Sequence, residues 1–387
     1  MLNPADIRRL ADYPAAREGP VLNVFCHLAP EDGFRDHDAV RRKDRLHELE
    51  KKINGNHPLS GALAEARRRL ADLPAGPRGA AMFLNSQGLI AEFRWAVPPQ
   101  DAVEVGRRPF VRRLLELAEA HPTVAVAAVD GRSARIMMSG VDGMELIREM
   151  AVDLPRKTMP VGSTNEDREQ DHRREISRRL ADDLAAELER LDRERSPHAL
   201  FLLGQDGNVN RLMELLPERV ARKCIPHAAP GRFEGPVSEY QRLVRPLIDR
   251  HMAEEKAAAA RRLRGMLQQG WHAVEDEQPV WDQMLAGNVV ELFFGSQETL
   301  PCSACPRCDM VFTDRKQDCP YCGAGCQESE FDEELAAWAV RHNVPTRFLP
   351  MPEPGEPRVS VAAILRHDAD ARRPVEVPAG QTAGEAR

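Results

Sequence analysis

Six of the eight cysteines fall between Cys302 and Cys326. Within that run, Cys305-Pro306-Arg307-Cys308 and Cys319-Pro320-Tyr321-Cys322-Gly323 set the spacing C-x2-C-x10-C-x2-C. Each C-P-x-C turn can aim two thiolates and its backbone N–H groups at one ion, and Gly323 relieves the second turn. Two such turns complete a tetrahedral Zn2+ site. Four thiolates leave no open coordination position, so the expected role is structural rather than catalytic. Cys302 and Cys326 read as spare thiols, with the alternative that Cys302-x2-Cys305 supplies the first pair. Cys26 and Cys224 sit in apolar, strand-like runs and are expected to be buried and inert.

Other chemistry is sparse. The histidines are scattered, and none stands at an offset from a Cys or Ser that suggests an activated nucleophile. No Walker motif occurs, so nucleotide binding by this chain alone is not expected. No catalytic residue is assigned. The segment Lys157–Gln170 has no periodicity and reads as an exposed loop. That loop and its flanks hold Arg156, Lys157, Arg168, His172, Arg173 and Arg174, a set that could contact phosphates. Glu166, Asp167 and Glu169 dilute it, and a solvated loop and helix N-terminus is the plainer alternative. Arg41, Arg42, Lys43 and Arg45, and separately Arg67–Arg69, read as solvated helix faces. The net charge of −7 argues against coating nucleic acid by bulk charge and leaves only a local basic face. No run of about 18 apolar residues exists, so no membrane span is expected. The N-terminal twenty residues lack an apolar core, so no secretory signal is expected either. The expected location is cytoplasmic; in that reducing compartment the cysteine cluster reads as a metal site rather than disulfides.

The elements that must position these groups are α/β throughout. Val21–Leu28 reads as a buried strand and Arg41–Ile53 as a charged helix. Ser60–Leu70 reads as a second helix. Ala80–Leu84 and Leu89–Trp95 flank Asn85-Ser86-Gln87-Gly88, which has hairpin turn chemistry. Pro109–Glu119 reads as an amphipathic helix. Thr123–Val129 and Ala134–Met138 form strand, turn, strand around Asp130-Gly131. A helix from Asp171 to about Arg195 carries the stripe Ile176, Leu180, Leu184, Leu188 and Leu191. Ala199–Leu203 and Ala221–Ile225 read as strands around a helix at Val209–Leu216. A long helix follows from Ser238 to about Gln269. Helices at Pro279–Ala286 and Asp332–His342 and strands at Val289–Phe294, Thr346–Leu349 and Ser360–Leu365 complete the order. Three α/β domains in series are expected, over 1–121, 122–229 and 230–370, with a zinc-ribbon insert at 300–328 and a disordered tail over 371–387.

In that order the pieces resemble the bacterial branch of the archaeo-eukaryotic peptide release factor and Pelota superfamily, over about residues 20–367. Gly19–Phe25 is similar to the opening strand of the bacterial members. Gly79–Leu84 with Leu89–Pro98 looks like their N-terminal sheet. Val126–Met138 looks like the start of the middle domain and Asp171–Leu191 like its long helix. Pro279–Phe294 resembles the third domain's helix-Gly-strand unit, and Val361–His367 the closing strand. The cysteine cluster falls where archaeal factors carry a cysteine-rich minidomain.

The resemblance implies a tRNA-shaped, monomeric, three-domain molecule that enters the ribosomal A site. The basic set around the middle-domain loop, with Gly162, Ser163 and Thr164, would then meet rRNA, and the third domain a translational GTPase or ribosomal protein. Release factors of this family carry Gly-Gly-Gln, and a neighbouring branch Gly-Ser-Gln, in the loop before the long helix. This chain has Gly162-Ser163-Thr164-Asn165 there, and Gln170 lacks preceding glycines. Threonine offers no amide and is stiff at its β-branch. The expected role is therefore a non-hydrolytic rescue or hibernation factor. The alternatives are a peptidyl-tRNA hydrolase with a divergent loop, and a zinc-ribbon adaptor acting away from the ribosome.

Overall fold

In the computed structural model, the apolar run Val21–His27 (β1) is buried along almost its whole length because strands pair with it on both sides. The structure describes residues 3–14, 18–28, 47, 58–72, 76–130, 132–152, 166–229, 235–295, 300–352 and 358–368; for 166–174 it describes the backbone alone. The chain divides into two compact units, one of Ala120–Arg250 and one built from Leu2–Glu119 together with His251–Arg387.

The second unit opens with helix α1 (Pro4–Ala11), capped by the Asn3 side chain, which accepts the Ala5 N–H. Helix α2 (Ser60–Ala71) lays Ala62, Leu63, Ala66 and Leu70 on one face of an antiparallel sheet. That sheet has the order β3-β2-β1-β4, with β2 at Gly79–Asn85, β3 at Gly88–Trp95 and β4 at Ala102–Gly106. Leu22, Val24 and Cys26 of β1 alternate toward α2 with Met82 and Leu84, as period-two patterning requires. The expected hairpin turn is present: Asn85 Oδ1 accepts the Gln87 N–H at 2.9 Å, and Gly88 takes a φ of +128°. Helix α3 (Arg112–Ala120) closes this segment.

The Ala120–Arg250 unit is a five-stranded sheet of order β7-β6-β5-β8-β9. Its strands are β5 (Val124–Val129), β6 (Ser133–Gly140), β7 (Gly143–Ala151), β8 (Leu200–Gly204) and β9 (Cys224–Ala228). The first three form an antiparallel meander; β8 and β9 run parallel to β5. Helix α4 (Glu166–Arg195) buries Leu180, Leu184, Ala185, Leu188 and Leu191 against Ala127, Ile136 and Leu202. Glu166–Gln170, expected as loop, are its first residues. With Asp171 onward they carry a dense run of good helix formers, and the apolar stripe alone could not reveal that start. Helices α5 (Asp206–Leu215) and α6 (Glu218–Ala221) follow. The strand expected at 221–225 thus starts later, at Cys224, because Pro217 opens a helical turn that seats Val220 in the core.

Helix α7 (Val237–Gln269) runs from this unit into the other, with Pro246 inside it. In the Leu2–Glu119 and His251–Arg387 unit, the remaining large sheet has the order β10-β16-β11-β15. Its strands are β10 (Ala273–Glu275), β11 (Val289–Phe294), β15 (Thr346–Phe348) and β16 (Val361–Leu365). Leu263 of α7 packs on Phe293, Ala362 and Ile364. Helix α8 (Glu277–Leu285) and helix α9 (Phe331–Arg341) bring together Trp281, Phe331 and Trp338, edge to face at 6.3 Å. Between β11 and α9 lies a small antiparallel sheet of order β13-β12-β14, with β12 at Pro301–Ala304, β13 at Val311–Phe312 and β14 at Gln327–Glu330. Among the described residues no helix is long and apolar enough to cross a membrane.

Candidate metal centre

The two C-P-x-C turns hang from the small sheet and face each other. In the first, the Asp309 N–H returns to Cys305 O at 3.0 Å, and the Cys305 N–H reaches Met310 O at 2.8 Å. In the second, the Gly323 N–H returns to Cys319 O at 2.9 Å, and the Cys319 N–H reaches Ala324 O at 2.8 Å. Backbone donors of Arg307 and Cys308 turn toward the Cys305 sulfur. Cys305 and Cys319 are buried with Met310 and Phe312, and Leu285 of α8 packs against them.

These turns bring Cys305, Cys308, Cys319 and Cys322 together, with all four sulfurs within 4.8 Å of one another. Cys305 Sγ lies 3.4 Å from Cys322 Sγ, and Cys308 Sγ lies 3.5 Å from Cys319 Sγ. A tetrahedral zinc with ordinary Zn–S bonds holds its sulfurs about 3.8 Å apart, so this donor set fits a four-thiolate zinc. Burial opposes ionisation of Cys305, but the N–H groups of Cys308 and Arg307 and the neighbouring thiols bring it to about 7. Burial and the bonds it makes to its sister thiols push Cys308 up.

Cys302 and Cys326 stand outside the four-sulfur group. Cys302 is buried in β12, where burial and then Glu334 push its thiol well up. Cys26 is buried in β1 as expected. Cys224 lies on the edge strand β9 and is only half-buried; burial and then Asp192 push its thiol up to about 12, and it donates to Val220 O.

The first turn also carries an ion-pair cluster that sequence reasoning missed. Asp309 Oδ1 accepts from Arg107 Nη2 and Arg108 Nη2, each at 2.6 Å, and Asp309 Oδ2 accepts from Arg341 Nη1 at 2.5 Å. Arg107 is also bidentate on Glu334, and Arg108 Nε lies 3.0 Å from Glu334 Oε2. Ser329 Oγ donates to Glu334 Oε1 at 2.6 Å. Arg107, Arg108 and Glu334 are all buried. Burial disfavours the charge of Asp309, yet Arg108, Arg341 and Arg107 hold its carboxyl down at about 2. Alongside, the Arg112 N–H donates to Glu333 Oε2 at 3.1 Å, and the Arg112 guanidinium sits over the stacked rings of Phe294 and Phe348. The adjacent pair Arg107-Arg108 and the triplet Asp332-Glu333-Glu334 are the sequence signal that could have pointed here.

Of the basic set expected to meet phosphate, Arg156, Lys157, Gly162, Ser163 and Thr164 lie outside the described residues. Arg168, His172, Arg173 and Arg174 fall in the first turns of α4, where only the backbone is described. Arg41, Arg42, Lys43 and Arg45 and the tail from residue 371 also lie outside the described residues. Arg68 and Arg69 are tied to Glu65, and Arg69 also to Glu92, which accounts for their charge within α2 and β3.

Among solved structures, the archaeal translation termination factor aRF1 is 15 % identical, with 94 % of this chain and 98 % of that one covered at a TM-score of 0.27. Archaeoglobus fulgidus Pelota is 14 % identical over 75 % of this chain and 79 % of its own, at a TM-score of 0.31. A ribosome-bound archaeal Pelota with ABCE1 is 11 % identical over 95 % and 94 %, at 0.40. Likenesses this distant carry no functional weight. No curated protein matches the chain. The family model for bacterial archaeo-eukaryotic release factor family 10 matches residues 109–256, a span that takes in the whole Ala120–Arg250 unit. On that match, the chain resembles the bacterial archaeo-eukaryotic release factors over that span.

Proposed function

We propose that this chain is a ribosome-associated translation factor that occupies the ribosomal A site as a non-hydrolytic rescue or hibernation factor. The family match over residues 109–256 carries the reading, because it includes the loop in which release factors of this kind place their Gln. In this chain that loop runs Gly162-Ser163-Thr164-Asn165. A glutamine amide can donate to and accept from a water at the peptidyl ester. A threonine hydroxyl is shorter, and its β-branch restricts the backbone that two small residues would otherwise free. A factor that enters the A site without that amide blocks or marks the ribosome rather than releasing peptide.

In this reading the protein is a cytoplasmic monomer with domains at 1–121, 122–229 and 230–370. Arg156, Lys157, Arg168, His172, Arg173 and Arg174 meet rRNA phosphates beside Gly162–Thr164. With a net charge of −7, binding rests on that local set rather than on bulk attraction. Cys305, Cys308, Cys319 and Cys322 hold a structural zinc in a ribbon inserted in the third domain, which faces a translational GTPase or a ribosomal protein. The zinc would supply the cross-link that lets so small a sheet fold.

Sedimentation of the zinc-loaded protein with 70S ribosomes, with and without an A-site tRNA, tests the reading. Binding that the tRNA competes away is expected, with no release of a model peptidyl-tRNA. Peptide release abolished by Gln170→Ala would instead establish the hydrolase. No co-sedimentation at low salt would move the protein off the ribosome.

A further inference from the structure

The two metal-facing turns share one backbone hydrogen-bond pattern but differ in their fifth residue. The fifth residue of each returns its N–H to the carbonyl of the first cysteine and lies in the left-handed region: Gly323 at a φ of +70°, Asp309 at +58°. Glycine adopts that conformation freely, whereas an aspartate is disfavoured there. The turn itself gains nothing from Asp309, so the reason for the residue lies in its side chain. That carboxylate accepts three guanidiniums: Arg107 and Arg108 from the Leu2–Glu119 segment, and Arg341 from the end of α9.

We propose that Asp309 is a metal-dependent latch: occupancy of the four-cysteine site sets how tightly residues 107–119 are held against α9 and β15. Asp309 is joined directly to Cys308, so an ion that fixes Cys308 fixes the left-handed turn. Without that constraint, Asp309 relaxes toward the right-handed conformation its side chain prefers, and the carboxylate swings off the arginines. Arg107 and Arg108 are then left to share Glu334, two buried guanidiniums on one carboxylate, which is costly. The loosened region extends to the interactions that depend on the same docking. These are the Arg112 N–H on Glu333 and the Phe348 N–H, which donates to both oxygens of Glu119 at 3.2 and 3.1 Å. Because coupling is reciprocal, weakening the arginine pairs lowers zinc affinity by the same factor that zinc loss loosens them.

The latch rests on the proposed metal reading, and the test separates the two. Metal content of the purified protein is measured first, then amide hydrogen exchange of the full chain with zinc and after chelation. The expected result is bound zinc, and a rise of about tenfold or more on chelation in exchange at the Phe110, Arg112 and Phe348 amides. Asp309→Gly keeps the left-handed turn and is expected to retain zinc, yet to show the faster exchange at those amides already and to change little further on chelation. Arg307→Ala, on the exposed side of the same turn, is expected to behave as wild type. Absence of bound zinc overturns the metal reading and the latch together. Bound zinc with chelation effects confined to residues 301–330 overturns the latch alone, as does Asp309→Gly with wild-type exchange at Arg112.

Discussion

Arg107 lays its guanidinium along the carboxylate of Glu334, Nε to Oε1 at 2.5 Å and Nη2 to Oε2 at 2.8 Å, with both side chains out of solvent. The two residues are separated by 227 positions in sequence, and their pairing joins the two segments that share one compact unit. Burial opposes the Glu334 charge, but Arg108 and Arg107 hold its carboxyl below the usual range. Removing it leaves two buried guanidiniums short of a partner. Glu334→Ala is expected to lower stability by about 3–5 kcal/mol, and Glu334→Gln by less, as measured by urea unfolding.

The carboxylates at the start of α9 behave oppositely. Burial, then the charges of Asp332 and Glu104, push Glu330 up to about 7 from its usual 4.5. Its folded-state value lies above its unfolded one, so the folded state holds the extra proton. Its contribution is complete below about pH 4.5 and is lost as pH rises through about 7. Glu330→Gln should therefore flatten the fall in stability between those values. A wild-type slope in the variant would count against this burial account.

His121 gives the reverse sign in the other unit. Arg245 Nη1 lies 2.8 Å from His121 Nδ1, and since a guanidinium can only donate, Nδ1 is the acceptor and the proton sits on Nε2. Burial, then Arg245, lowers its pKa to about 4. Stability from this group is present above pH 6.5 and is lost as pH falls through about 4. An NMR titration of the ring should show its midpoint near 4, and a midpoint near 6.5 would contradict the Arg245 pairing.

Metal stoichiometry discriminates among the six clustered thiols. One zinc per chain is expected by atomic emission. Cys308→Ser and Cys319→Ser should lose it, whereas Cys302→Ser and Cys326→Ser should retain it. Chelation should unfold the 301–330 sheet, seen as loss of its amide protection, because little apolar area is left to hold it.

If the proposed role holds, ribosome binding should depend on the arginines in the first turns of α4 through charge. Arg173→Glu with Arg174→Glu is expected to weaken co-sedimentation at every salt concentration. It should also reduce the log–log salt slope by about 1 for each phosphate that the variant no longer neutralises. Arg67→Glu on α2 is the control and should leave the slope unchanged.

Much of the secondary structure was legible because it is encoded locally. The run Val21–Leu28, the Asn85–Gly88 turn and the leucine stripe of α4 announce themselves by period two, turn chemistry and period near four. Several of the strands missed lack such a signature. In β7, an edge strand, residues are exposed on both faces, so no alternation marks it. Strands β10 and β13 are two or three residues long, too short to carry a period.

By itself the sequence determined the four thiols, since C-x2-C turns act over a few residues, and the absence of a Gly-Gly-Gln tripeptide, since that is a matter of residue identity. Only the tertiary structure decided what Asp309 is for. An aspartate beside a cysteine reads as a solvated loop residue until Arg107, Arg108 and Arg341 arrive from distant parts of the chain. The same holds for the opposite titrations of Glu330 and Glu334, four residues apart on one helix start. Electrostatic energies depend on distance and burial in space, and neither is written in the spacing of charges along a chain.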